Sequence, residues 1–175
     1  IVHGFKQWGI DCVQHFRGMF AFALWDVGQQ ELWLVRDRIG IKPLYWTHAG
    51  GRFAFASEIK ALLSDPLVPR RVNEDGLFHY LSFLTTPAPD TLFEGIHKLA
   101  GGCWMRIDAN GAVREQRYWD ALENAEDLHG IGEDDLAERI LSELETSVAL
   151  RKVSDVPVGV FLSGGVDSST NAALF

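Results

Sequence analysis

Toward one end of the chain an apolar run meets a glycine pair and then a helix-forming stretch: Val158, Gly159, Val160, Phe161 and Leu162, next Ser163, Gly164, Gly165, Val166, Asp167, Ser168 and Ser169, next residues 170–175. Few local folds satisfy that order. The apolar run predicts a short strand covered on both faces and entered at Pro157. Gly164 and Gly165 let the backbone turn sharply and come close to a ligand, while Asp167, Ser168 or Ser169 can cap the helix that follows. Successive free amides with a helix amino end form a concave anion site, and a phosphate chain such as that of ATP is its natural guest. The Walker A pattern is excluded, since it requires a lysine at its end and none stands between Val153 and Phe175.

The earlier chain has a different rhythm. Ile1, Val2, Phe5, Trp8 and Gly9 keep helical spacing, and Cys12, Val13 and Phe16 extend the apolar stripe to Gly18, which predicts a helix interrupted near Gly9. Residues 19–26 and 31–36 read as one hairpin turned at Gly28, and 44–47 with 52–56 as a second around Gly50 and Gly51. Four strands in a row predict an antiparallel sheet. Ser57 is the expected cap of a helix over 58–63, and Asn73 of a helix over 74–84 with Leu77, Tyr80, Leu81 and Leu84 as its stripe. Residues 85–91 hold two prolines and end that helix; 92–99 read as loop, and 103–107 with 112–119 as a further hairpin. Residues 120–132, acidic and rich in small side chains, make the best linker. A helix over 133–152 then presents Leu136, Ile140, Leu141, Leu144 and Val148, expected to pack on the sheet begun by 158–162.

A hydrophobic content of 47%, with six Trp and eleven Phe, is ample for a packed core. The formal charge of -8 argues against surfaces for nucleic acid or anionic membrane, so small-molecule partners are expected. No apolar run has the length to span a bilayer, and 1–6 lack a secretory pattern, which suggests the cytoplasm. Cys12 and Cys103 are isolated and expected to be reduced, buried thiols. The six histidines, at 3, 15, 48, 79, 97 and 129, lack metal-pair spacing. Ile1 in place of an initiator Met, inside a helical stripe, gives the expectation of an internal fragment.

Arg36-Asp-Arg-Ile-Gly-Ile-Lys-Pro-Leu-Tyr-Trp46, taken with 20–26 and 55–62, resembles the glutaminase domain of class II glutamine amidotransferases, an N-terminal-nucleophile fold of two antiparallel sheets between helices. Arg36, Asp37 and Arg38 themselves read as a surface ion cluster holding a loop, without a catalytic role. That resemblance implies a cysteine nucleophile with its own α-amine as base, and glutamine-binding residues, all upstream of Ile1. No catalytic residue of the glutaminase site is therefore expected in this stretch. Ser163 to Ser168 resembles the pyrophosphate loop of ATP pyrophosphatases.

Both sets in this order resemble the glutamine-hydrolysing asparagine synthetases, whose two domains are joined by a Pro-Ala-Pro segment and a Phe-x-Gly-Ile-x-Lys-Leu stretch; here Ala100, Gly101 and Gly102 replace the usual Pro-Pro-Gly. The implied fold is α+β: the later part of an amidotransferase sandwich over 1–120, a linker over 121–132, and over 133–175 the start of an α/β parallel-sheet ATP pyrophosphatase domain. The implied substrates are aspartate, glutamine or ammonia, and ATP with Mg2+, in an enzyme expected to be a homodimer at full length. ATP or pyrophosphate would meet Leu162, Ser163, Gly164, Gly165, Val166, Asp167, Ser168 and Ser169, and Asp167 would orient a magnesium-bound water. Met19 reads as a gap-filling core residue, with a place on an ammonia passage as the alternative that the resemblance implies. Rival readings are a β-lactam synthetase, an amidotransferase acting on another carboxylate, and a degenerate module without turnover.

Overall fold

The computed structural model describes residues 1–123 and 125–175, and the chain divides into two compact units, Ile1–Ala125 and Glu126–Phe175. Residue 124, within the expected linker, lies outside the described residues.

The first unit is built in layers. Helix α1 (Val2–Trp8) breaks at Gly9, whose φ of 59° suits glycine, and continues as a 3-10 turn over Gly9–His15. Strands β1 (Ala21–Asp26), β2 (Glu31–Arg36), β6 (Cys103–Ile107) and β7 (Val113–Arg117) form one antiparallel sheet in the order β1-β2-β6-β7. Strands β3 (Tyr45–Ala49), β4 (Arg52–Ala56) and β5 (Ile96–Lys98) form another in the order β4-β3-β5. The two early hairpins thus belong to separate sheets, as the resemblance to a two-sheet fold implied, whereas the run of four strands read alone gave a single sheet. The third strand of the second sheet falls in the stretch expected to be loop.

Strand periodicity sorts the side chains. Leu34 pairs with Met105, and both point into a cluster with Leu44, Leu99, Cys103 and Ile107 that Trp46 and Phe53 of the second sheet close from the other side. Val35, Trp33 and Trp104 point the opposite way, against Cys12, Val13, Phe5 and Phe16 of the amino-terminal helical segment. Helix α2 (Ile59–Leu62) covers the far face of the second sheet through Ile59 and Leu62, which cluster with Val68 of the following segment and Ile96 of β5. The order is helix, sheet, sheet, helix, and β2 is apolar on both faces because both are covered. Burying each of Leu34, Leu99 and Met105 contributes about 1.5–3 kcal/mol.

The link between the sheets overturns one expectation. Asp37 is 1% exposed and accepts backbone N–H bonds from Phe20 at 3.2 Å, Ile41 at 2.8 Å and Lys42 at 2.9 Å. Arg36 donates to the carbonyls of Lys42, Leu99 and Gly40 at 2.6–2.7 Å. Arg38 lies over the Trp119 ring, 5.7 Å from its centroid. These residues make no surface ion cluster, and no ion pair joins them among the described residues. A connection crossing between two sheets leaves its own peptide groups without a ladder, and the charged side chains satisfy them.

Two helix starts differ in outcome. Asn73 caps α3 (Glu74–Phe83) as expected, its side-chain oxygen accepting the Gly76 N–H at 3.1 Å. Ser57 does not cap α2; Glu58 holds the cap position in extended conformation, with no side-chain bond. The expected stripe is exposed, Leu81 by 72% and Leu84, which ends α3 as its left-handed cap and is not within it, by 80%.

In the second unit, α4 (Glu133–Arg151) and α5 (Val166–Leu174) are the regular elements. The strand expected over 158–162 is absent: this stretch has no ladder and Phe161 is 98% exposed. A strand exists only with a partner, and the described residues of this unit supply none. The apolar face of α4 consequently has no sheet to pack on, and none of its residues is buried.

Candidate functional site

The glycine pair turns as its sequence demands. Gly164 adopts φ 82°, a conformation unfavourable to any residue with a Cβ, and Gly165 then takes the cap position of α5 with φ -80° and ψ 162°. None of Asp167, Ser168 and Ser169 is the cap, and no side chain bonds the free end of the helix. The Ser168 hydroxyl donates to the Gly165 carbonyl at 3.0 Å and accepts from the Ser163 hydroxyl at 2.9 Å, which closes the loop on itself. The first intrahelical bond runs from the Ser169 N–H to the Gly165 carbonyl at 3.0 Å. The amides of Val166, Asp167 and Ser168 precede it and have no acceptor within the helix.

Those three amides and the positive end of the helix dipole suit a phosphate oxygen. A Cβ at Gly165 would meet nothing nearer than the Ser163 Oγ at 3.8 Å, so the backbone is open to close approach. Asp167 is exposed in the first turn of α5 and has no hydrogen-bond or ion-pair partner among the described residues. No group of three or more His, Cys, Asp and Glu among the described residues could hold a metal ion. Beside Leu162, a cleft of about 420 Å³ is lined by Leu144, Val148, Val158, Val160, Phe161 and Phe175.

In the first unit, Met19 is exposed rather than packed in the core. It opens on a cleft of about 380 Å³ with Ile1, His15, Phe16, Arg17 and Phe20. Phe20 meets Phe16 edge-on at 5.7 Å and lies 5.8 Å from Phe22, so an aromatic wall stands next to the methionine. The clamp on Phe20 by Asp37 was not foreseen. Its signal was the carboxylate four and five residues before the Ile41 and Lys42 amides it accepts, a local pattern inside a motif read only for its charge.

Both thiols are free and buried, and burial pushes each above the usual thiol range. They are poor nucleophiles for that reason. No helix among the described residues is long and apolar enough to cross a membrane.

Residues 1–119 match a family model described as a glutamine amidotransferase domain, and 139–175 match one described as asparagine synthase. Glutamine-hydrolyzing asparagine synthetase 3 of Bacillus subtilis (strain 168) is 37% identical over 175 residues, covering 99% of this chain and 28% of that protein. A putative glutamine-hydrolyzing asparagine synthetase of Mycobacterium tuberculosis (strain ATCC 25618 / H37Rv) is 40% identical over 180 residues, 99% of this chain and 27% of its own. Amidase chry2 of Gibberella zeae is 37% identical over 177 residues, 97% of this chain and 25% of its own. The chain thus spans about a quarter of the length of these relatives. With the first match running through most of its residues, and through both sheets, the chain belongs to the glutamine amidotransferase domain family.

Proposed function

We propose that the protein carrying this chain is an ATP-dependent, AMP-forming asparagine synthetase that takes its nitrogen from glutamine. One observation carries the reading: an amidotransferase match over 1–119 is followed, in the same chain, by an asparagine synthase match that contains the Ser163–Ser169 turn with its free helix amides. Ammonia released from glutamine would displace AMP from a carboxylate activated at the α-phosphate of ATP, with pyrophosphate as the leaving group. Leu162 would lie beside the nucleotide, and Ser163, Gly164, Gly165, Val166, Asp167, Ser168 and Ser169 would hold the pyrophosphate. Magnesium would neutralise charge on the phosphates, with Asp167 orienting one of its waters. The exposed Met19 and its cleft support a place on the ammonia passage. The cytoplasm suits the two free thiols.

The test is exchange of labelled pyrophosphate into ATP by the full-length protein, run with aspartate and with other carboxylates. Exchange that requires aspartate supports the reading. Exchange driven by a different carboxylate would assign the protein to an amidotransferase of another acceptor, which the similarity to a protein named amidase keeps open. No exchange with any acid would leave a non-catalytic module.

A further inference from the structure

Phe20 is held from both sides of its peptide by one residue. Its N–H donates to Asp37 Oδ2 at 3.2 Å, and its carbonyl accepts the Asp37 N–H at 2.8 Å. The same carboxylate is anchored by the Ile41 and Lys42 amides, and the Asp37 carbonyl accepts the N–H of Gly40 at 3.0 Å and of Gly102 at 2.8 Å. Asp37 therefore ties the segment at the mouth of β1 to a loop that Arg36 fixes in turn to the Leu99 carbonyl. A buried carboxylate fully supplied with backbone donors has one low-energy position, and so has whatever it holds.

What it holds is the wall of the Met19 cleft. We propose that Asp37 is a positioning residue for ammonia transfer: by clamping the Phe20 peptide it fixes the Phe20 ring against Phe16 and Phe22, and with it the bore of the cleft on which Met19 opens. This rests on the reading of Met19 as part of the passage. Asp37 touches no reactant and acts only through Phe20.

Asparagine at this position keeps the volume but turns an N–H₂ group toward backbone N–H donors whichever way its amide faces. In the full-length protein, the measured quantity is amide formed with glutamine relative to amide formed with added ammonium. Asp37→Asn should lower this ratio about three- to tenfold, the range expected for losing one or two backbone hydrogen bonds. Tyr118→Phe removes a bond to the Arg36 carbonyl in the same loop without touching Phe20, and should lower the melting temperature while keeping the parent ratio. A parent ratio in folded Asp37→Asn, or an equal fall in Tyr118→Phe, would overturn the proposal. If Asp37→Asn does not fold, Phe20→Ala carries the test: it keeps the peptide clamp and removes the ring, and an unchanged ratio there would also overturn it. Met19→Glu separates the two levels. A parent ratio in Met19→Glu refutes the passage itself, whereas a lowered ratio there with a parent ratio in Asp37→Asn refutes only the clamp.

Discussion

Tyr118 shows how one side chain reports on the inter-sheet loop. Its hydroxyl donates to the Arg36 carbonyl at 2.8 Å, and burial, with the nearby Asp37 charge, pushes its pKa up to about 12 from an ordinary 10.0. A raised pKa means that the unfolded chain loses this proton first. The contribution of Tyr118 is complete below pH 10 and is lost progressively as the pH climbs toward 12. The melting temperature should therefore fall across that window, and the fall should be shallower in Tyr118→Phe. That variant should also lose about 1 kcal/mol at neutral pH, the worth of one hydrogen bond. Parallel alkaline profiles for parent and variant would refute the assignment. At this scale, legibility followed locality. The Asn73 cap was plain from sequence because donor and acceptor lie three residues apart. The bond from Tyr118 to Arg36 spans 82 residues, and nothing in the local pattern announces it. Asp37 sits between these cases, and the charges around it suggested a solvated loop where the fold needed a buried acceptor.

Among elements, the hairpins were legible because alternation and Gly-containing turns are set within a few residues, whereas the assignment of hairpins to sheets depends on where the connection between them goes. Strand β5 escaped notice for a related reason: three residues carry too little periodicity, and only pairing of Tyr45 with Lys98 and Thr47 with Ile96 makes them a strand. Residues 158–162 had the composition of a strand but no partner. Helix α3 offers a test of how tightly elements are seated. Gly76 is buried, and a Cβ there would lie 2.3 Å from the Thr91 carbonyl oxygen, a backbone atom that cannot swing aside. Alanine would gain about 1 kcal/mol in helix propensity. Overpacking would cost about 1–3 kcal/mol, and a clash with backbone belongs at the upper end. Gly76→Ala should thus destabilise the first unit in urea titration. A variant as stable as the parent would show that α3 is free to move away from Thr91.

For the whole molecule, the order of motifs made the amidotransferase family legible, while the covered faces of the two sheets became visible only in three dimensions. Because Cys12 and Cys103 are internal, buried and poorly ionised, neither thiol should serve as a nucleophile toward glutamine; ammonia release from glutamine that disappears in Cys12→Ser or Cys103→Ser would refute this. The second unit turns on two adjacent glycines with different physical requirements. Gly164, at φ 82°, would strain any side chain, and Gly164→Val should distort the turn at a cost of about 1–2 kcal/mol or more. Gly165 has ordinary dihedrals, and a Cβ there meets only hydroxyl oxygens at 3.8 and 4.0 Å, so Gly165→Val should leave the fold within about 0.5 kcal/mol of the parent. What valine would obstruct is the approach of a phosphate to the amides of Val166, Asp167 and Ser168. Charge-assisted hydrogen bonds contribute about 1.5–3 kcal/mol each, so the loss of even one should reduce pyrophosphate exchange at least about tenfold in the full-length protein. Under the proposed function, glutamine hydrolysis is a reaction of the amidotransferase domain matched by 1–119 and should survive. Gly165→Val that exchanged pyrophosphate at the parent rate would make the turn a plain connector between a lone extended stretch and a helix, and would remove the support for AMP-forming chemistry.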